Sequence, residues 1–241
     1  MPLATGPTAH EYLIKLRKNA SPERAEHSKR YFKTGKGGYG EGDVFIGLTM
    51  GQVDDVNKTF LEMDPVEIEK LLDSPIHEAR IGALKIMAKR AMGRKTTEPG
   101  KKELFDLYIR RTDRINNWDL VDSSAPAVVG GYLYEKPRDL LYRFVKSGNL
   151  WERRIAIIST LYFIRKGDLE DTFPLAELLL TDRHDLIHKA TGWMLREAGK
   201  KDRLRLVNFL DKNASRMPRT ALRYAIEHFD NELRSHYMKL K

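Results

Sequence analysis

Arg154-Ile155-Ala156-Ile157-Ile158 places a basic residue ahead of small and aliphatic ones, and three other segments follow the same order. They are Arg80-Ile81-Gly82-Ala83-Leu84, Lys189-Ala190-Thr191-Gly192-Trp193 and Arg219-Thr220-Ala221-Leu222. Around them apolar residues recur at three and four, as in Ile81, Leu84, Met87 and Ala88 or Ile155, Ile158, Leu161 and Tyr162. That spacing is the period of one helix face. Anchors at 80, 154, 189 and 219 lie 74, 35 and 30 residues apart, and the first gap holds two units if another helix is centred near Trp118. Units of this size predict stacked helical hairpins. Gly82, Ala156 and Gly192 are small enough to let neighbouring helices approach closely.

Outward from these segments the chain reads as helix after helix. Ser21-Pro22, Asp64-Pro65 and Ser74-Pro75 each set a capping side chain before a proline at the first helical position. Lys136-Pro137 and Met217-Pro218 also read as starts, without a strong cap. No alternating β-branched run with hairpin chemistry is present. The expected fold is all-α, a helical-repeat solenoid of the HEAT-like or armadillo kind (an α-α superhelix), forming one domain over residues 1–241. Two stretches interrupt the pattern. Gly35-Lys36-Gly37-Gly38-Tyr39-Gly40-Glu41-Gly42 has too many glycines to hold a helix and lacks the spacing of a P-loop. It reads as a surface loop, with backbone contact to phosphate as the functional alternative. Gly93 to Lys102 reads as a polar connector.

Lys and Arg number 43 against 34 Asp and Glu, a formal charge of +9 that favours a polyanionic partner. No stretch approaches the roughly 18 apolar residues of a membrane span. Met1-Pro2-Leu3-Ala4-Thr5-Gly6-Pro7 has neither the basic nor the apolar region of a signal peptide, so a cytoplasmic protein is expected. With no cysteine there is no disulfide, thiolate nucleophile or thiolate metal site. His184 and His188 flank Asp185, but HExxH is absent and an exposed helix face explains them. No metal and no cofactor is expected.

The candidate chemistry begins at Asn116-Asn117-Trp118-Asp119-Leu120-Val121-Asp122. A helix capped near Asn116 or Asn117 sets Trp118 and Asp122 at i and i+4 on one face, with Leu120, Val121 and Val128 toward the core. A ring beside a carboxylate suits a cationic, planar or sugar-like group. The plainer alternative packs Trp118 in the core and uses Asp119 and Asp122 as caps or arginine partners. Leu150-Trp151-Glu152-Arg153-Arg154 opens a later helix, and Trp193 is expected at the equivalent place one unit on. In a solenoid such positions line one concave surface.

These segments resemble the AlkD-type DNA alkylation-repair glycosylases, a HEAT-like family that excises N3- and N7-alkylated purines. The resemblance runs over nearly the whole chain. Ser21-Pro22-Glu23-Arg24-Ala25-Glu26 with Arg30-Tyr31-Phe32-Lys33 is similar to the first helical hairpin, Trp118-Asp119-Leu120-Val121-Asp122 to the signature, and Trp151-Glu152-Arg153-Arg154-Ile155-Ala156-Ile157 to the arginine-bearing helix. Lys189 through Glu197, with Trp193 and Arg196, matches most closely. By position, the resemblance implies Asp122 as the catalytic carboxylate, Trp118 and Trp193 flanking it, Arg154 on the DNA backbone and Arg196 as a further phosphate contact. It implies a monomeric enzyme acting on double-stranded DNA that contains alkylated purines, without flipping the base. Some members carry a second aromatic before the first tryptophan, where this chain has Asn117. The rivals are a non-catalytic HEAT-like nucleic-acid binder and a protein-interaction scaffold.

Overall fold

Side chains that accept from the first free amides mark where the helices begin. In the computed structural model, which describes residues 6–240, Thr8 and Thr49 each close a capping box, and Ser21, Asp64, Thr97, Asp202 and Asp230 cap singly. The segment examined for a signal peptide starts in Met1–Thr5, outside the described residues. Among the described residues there is no strand, only an isolated parallel bridge between Val44 and Ile76, and no helix is long and apolar enough to cross a membrane. The fold is all-α and of the helical-repeat kind.

The chain divides into two compact units, Met1–Val128 and Val129–Lys241. The first holds α1 (Ala9–Arg17), α2 (Pro22–Tyr31), α3 (Met50–Asn57), α4 (Pro65–Leu72), α5 (His77–Ala91), α6 (Glu98–Arg110) and α7 (Trp118–Ala125). Its centre is α5, against which α3, α4, α6 and α7 pack. The first eight residues of α5, His77 through Leu84, are all buried. A helix covered on every side has no polar face to spare, so its buried His77, Glu78 and Arg80 must find partners inside the protein. Glu78 does so by accepting from the amides of Ile46 (3.1 Å), Gly47 (2.7 Å) and Leu48 (3.2 Å). The extended segment before α3 is thereby tied to the start of α5.

The second unit holds α8 (Gly131–Leu133), α9 (Asp139–Phe144), α10 (Leu150–Arg165), α11 (Thr172–Leu178), α12 (Asp185–Lys201), α13 (Arg203–Asn213), α14 (Arg219–Ala225) and α15 (Asn231–Lys239). Here α12 packs against α10, α11, α13 and α14. The small residues of the repeats do what their size requires. Gly82 faces the Tyr12 hydroxyl, and Gly192 lies against the Ala221 carbonyl and Tyr224 of α14.

Three local expectations are corrected. Ser74-Pro75 does not open a helix. The Ser74 hydroxyl accepts from the Ile76 amide (3.1 Å) and the Pro75 carbonyl from Val44 (3.1 Å), so α5 begins two residues later. Glu98 through Lys102 is no connector but the first turns of α6, because Thr97 caps the Gly100 amide (3.3 Å) and Pro99 suits a helix start. Trp151 and Trp193 are not at equivalent places: Trp151 stands in the first turn of α10, Trp193 in the middle of α12.

Packing at Gly192 gives a measurable expectation. Alanine in place of a mid-helix glycine gains about 1 kcal/mol of propensity. A Cβ at 192, however, would lie 2.5 Å from that of Tyr224 and closer still to the Ala221 carbonyl oxygen. Overpacking of this kind costs about 1–3 kcal/mol. Gly192→Ala is therefore expected to lower stability in urea denaturation, where a propensity effect alone would raise it.

Candidate functional site

The first turn of α7 is held in place before any ligand arrives. Asn117, fully buried, accepts from the Trp118 amide (2.8 Å) and donates its side-chain amide to Asp43 (3.2 Å). Asp119 accepts from His77 Nε2 (2.7 Å), while His77 Nδ1 donates to Asp43 Oδ2 (3.0 Å). Arg80 reaches the other Asp43 oxygen and the Asn116 side chain, and donates to the Arg114 carbonyl (3.3 Å). Residues 114–119 are thus fixed to one cluster built from Asp43, His77 and Arg80.

The cluster is charged yet buried, with His77 1% and Arg80 1% exposed. Two carboxylates offer His77 only acceptors, so both ring nitrogens must carry protons. Burial pushes the imidazole toward neutrality, but the charge and hydrogen bond of Asp119 and the hydrogen bond of Asp43 outweigh it, raising the pKa to about 9. For Asp43 burial acts upward and is overcome by the His77 hydrogen bond and the Arg80 charge, which hold its carboxyl below the ordinary range. Burial lowers Arg80, whose Nε has no partner.

Aromatic rings cover this cluster. His77 stacks on Phe45 (4.4 Å between centroids), Phe45 on Phe32 (4.9 Å), and Phe32 on Trp118 (5.4 Å, planes 17° apart). Tyr31, 60% exposed, meets Trp118 edge-on at 6.0 Å. Trp118 is therefore half-buried with its plane set by neighbours. Asp122, also half-buried, follows one turn later on α7, and its charge reaches Tyr108, whose hydroxyl burial and that charge push upward. Pro126 then lacks the N–H that would bond the Asp122 carbonyl in a regular helix, and the chain passes into a π-helical turn, Pro126–Gly130.

The glycine-rich loop turns back on itself. The amides of Gly38, Glu41 and Asp43 donate to carbonyls within it, and the Gly37 amide donates to the Glu41 carboxylate (2.7 Å). A Cβ on Gly40 would collide with the Phe32 carbonyl, so glycine is what lets the loop sit against the ring stack. Three of its eight amides, those of Gly37, Gly38 and Glu41, are engaged in these internal hydrogen bonds.

In the second unit Trp193 is half-buried on α12, one turn before Glu197. Arg196 pairs with Glu197 (3.5 Å) and with Glu227 of the segment after α14. Arg154 is 4% exposed and donates to the Leu186 carbonyl, joining α10 to α12. Trp118 and Asp122 thus share α7, and Trp193, Arg196 and Arg154 belong to the α10–α12 pair.

Sequence reasoning missed Asp43, His77 and Asp119 as a unit and the Phe32–Phe45 stack. One signal was available: His77 and Glu78 are polar residues heading a helix that continues as Ile81-Gly82-Ala83-Leu84. Because the folded-state pKa of His77 is raised, its contribution to stability is complete below about pH 6.5 and is lost as pH rises through about 9. The stability difference between wild type and His77→Gln should therefore be largest near pH 6 and shrink by pH 9.5, by on the order of 1–3 kcal/mol. Urea titrations across that range check it, and a difference independent of pH would contradict it.

Comparison with known proteins bears on the whole chain. No curated protein sequence matches it. Among solved structures, a predicted DNA alkylation repair enzyme from Enterococcus faecalis superposes with a TM-score of 0.70 at 17% identity, covering 88% of this chain and 98% of that one. At that identity the likeness speaks for the fold. The sequence profile described as DNA alkylation repair enzyme matches residues 13–229, and the chain belongs to that family.

Proposed function

We propose that this repair enzyme is a DNA glycosylase that hydrolyses the N-glycosidic bond of N3- and N7-alkylated purines in double-stranded DNA. The observation that supports this reading best is the placement of Asp122 one turn beyond Trp118 on a helix whose first turn is anchored by buried hydrogen bonds. Such a purine already carries a positive charge and leaves without being protonated. The remaining work is to stabilise the oxocarbenium-like deoxyribose, as in sugar hydrolysis. A carboxylate held in advance does this and orients the attacking water. Asp122 fills that role, with Trp118 and Trp193 against the sugar and backbone, excluding bulk water. The base leaves without entering a base-reading pocket, so its own lability sets which lesions react.

Arg154 and Arg196 are the proposed backbone contacts. Arg196 can exchange partners, since Glu227 is half-exposed and a surface ion pair of that kind holds by no more than about 1 kcal/mol. Arg154 is buried, and its substitution has two separable consequences. Loss of a phosphate contact reduces the slope of log K against log salt by about 0.9. Loss of the bond to Leu186 alone lowers stability and leaves that slope unchanged.

The decisive measurement is single-turnover release of 7-methylguanine from methylated duplex DNA. Asp122→Asn is expected to bind DNA as wild type does while releasing base about 10²–10³-fold more slowly. Unaltered release would remove Asp122 from the mechanism, and wild-type protein that binds DNA but frees no base would make this a non-catalytic binder. For Arg154→Ala the expected result is weaker binding with the flattened salt dependence. A slope equal to that of wild type assigns Arg154 to structure alone.

A further inference from the structure

The buried Asp43–His77–Asp119 bridge does more than neutralise charge. Its two ends belong to different parts of the first unit: Asp43 to the extended segment after the glycine-rich loop, and Asp119 to the first turn of α7. His77 joins them from the head of α5, and its ring is the terminal member of the stack that runs through Phe45 and Phe32 to Trp118. One side chain therefore governs α7 in two ways, through a hydrogen bond to the residue next to Trp118 and through the rings that set the Trp118 plane.

We propose that His77 is a positioning residue for base excision, fixing the first turn of α7 and with it the directions in which Trp118 and Asp122 project. This rests on the reading of α7 as the helix that carries the catalytic carboxylate. Only a flat group with donors on opposite edges can bridge two carboxylates and stack at the same time. Glutamine has the size but presents its donors at one end. Lysine offers a point charge that cannot stack. The charged groups that face the imidazole or its partners are Asp43 from the extended segment, Asp119 from α7, Arg80 from α5 itself and Arg114 from the turn before α7. With those partners fixed, the imidazolium is the form that closes the bridge, and raising pH through about 9 opens it.

The test uses the full chain labelled with 5-fluorotryptophan, whose three ¹⁹F resonances report Trp118, Trp151 and Trp193 separately, each assigned by its phenylalanine variant. In wild type the Trp118 resonance is expected to titrate near pH 9 while the others do not. In His77→Gln that titration should vanish and the Trp118 resonance should move, with Trp151 and Trp193 unchanged. The same variant should release 7-methylguanine about 10–100-fold more slowly, the scale on which small misplacements act, with DNA affinity within about threefold of wild type. Release at the wild-type rate, or a Trp118 resonance indifferent to both pH and substitution, overturns the proposal. If the variant does not fold, all three resonances collapse together. The wild-type titration then decides, a Trp118 signal that ignores pH counting against the bridge. Wild-type protein that frees no base would instead overturn the glycosylase reading, while the Trp118 resonance still reports the bridge.

Discussion

An imidazole placed between two carboxylates in a dry interior has to be charged, and its charge has to be balanced on both sides. In this protein that constraint falls at the head of α5, where Asp43 and Asp119 bracket His77 and Arg80 completes the balance. Removing ions from water costs several kcal/mol each, so such a cluster is poor evidence for stability. What it supplies is uniqueness. Breaking one member would strand a buried charge, at about 3–5 kcal/mol, and alternative placements of α7 carry that penalty. The chain 114–119, which would otherwise be an irregular connection after α6, is fixed by side chains from α5 and from the segment before α3.

The ring stack and the charged cluster are two faces of one arrangement. Phe32 and Phe45 exclude water from His77, which raises the cost of leaving its partners unsatisfied, and they also carry the orientation on to Trp118. Gly40 allows the glycine-rich loop to close over Phe32. That loop thereby belongs to the scaffold of α7, and its internal hydrogen bonds hold it there.

The second unit relies on different physics. Its helices approach through small residues, Gly130 against Ser159 and Gly192 against Ala221, where backbone meets backbone. Several cations on this scaffold are engaged with acids, as Arg138 with Asp168 and Asp171, Arg153 with Asp182 and Arg205 with Glu170. A formal charge of +9 therefore attracts DNA to the molecule as a whole but does not by itself mark which face receives it. Exposed pairs are weak enough to be traded for phosphates, and buried ones are not.

Periodicity and helix caps are local properties, and they were readable. The three- and four-residue spacing around Ile81 and Ile155 determined the helices, Asn116-Asn117 the start of α7 to within a residue, and the i, i+4 relation of Trp118 and Asp122 followed from helix geometry alone. Resemblance carried the family. Local reading failed in one place because a distant partner intervened, Val44 pairing with the Pro75 segment and delaying α5. The Thr97 cap of α6 and the different depths of Trp151 and Trp193 in their helices are local features that it misplaced. The union of Asp43, His77 and Asp119 spans 77 residues of chain and follows no period. A charge balance of that kind exists only once α5 and α7 are packed, because burial is what forces the three groups to find one another.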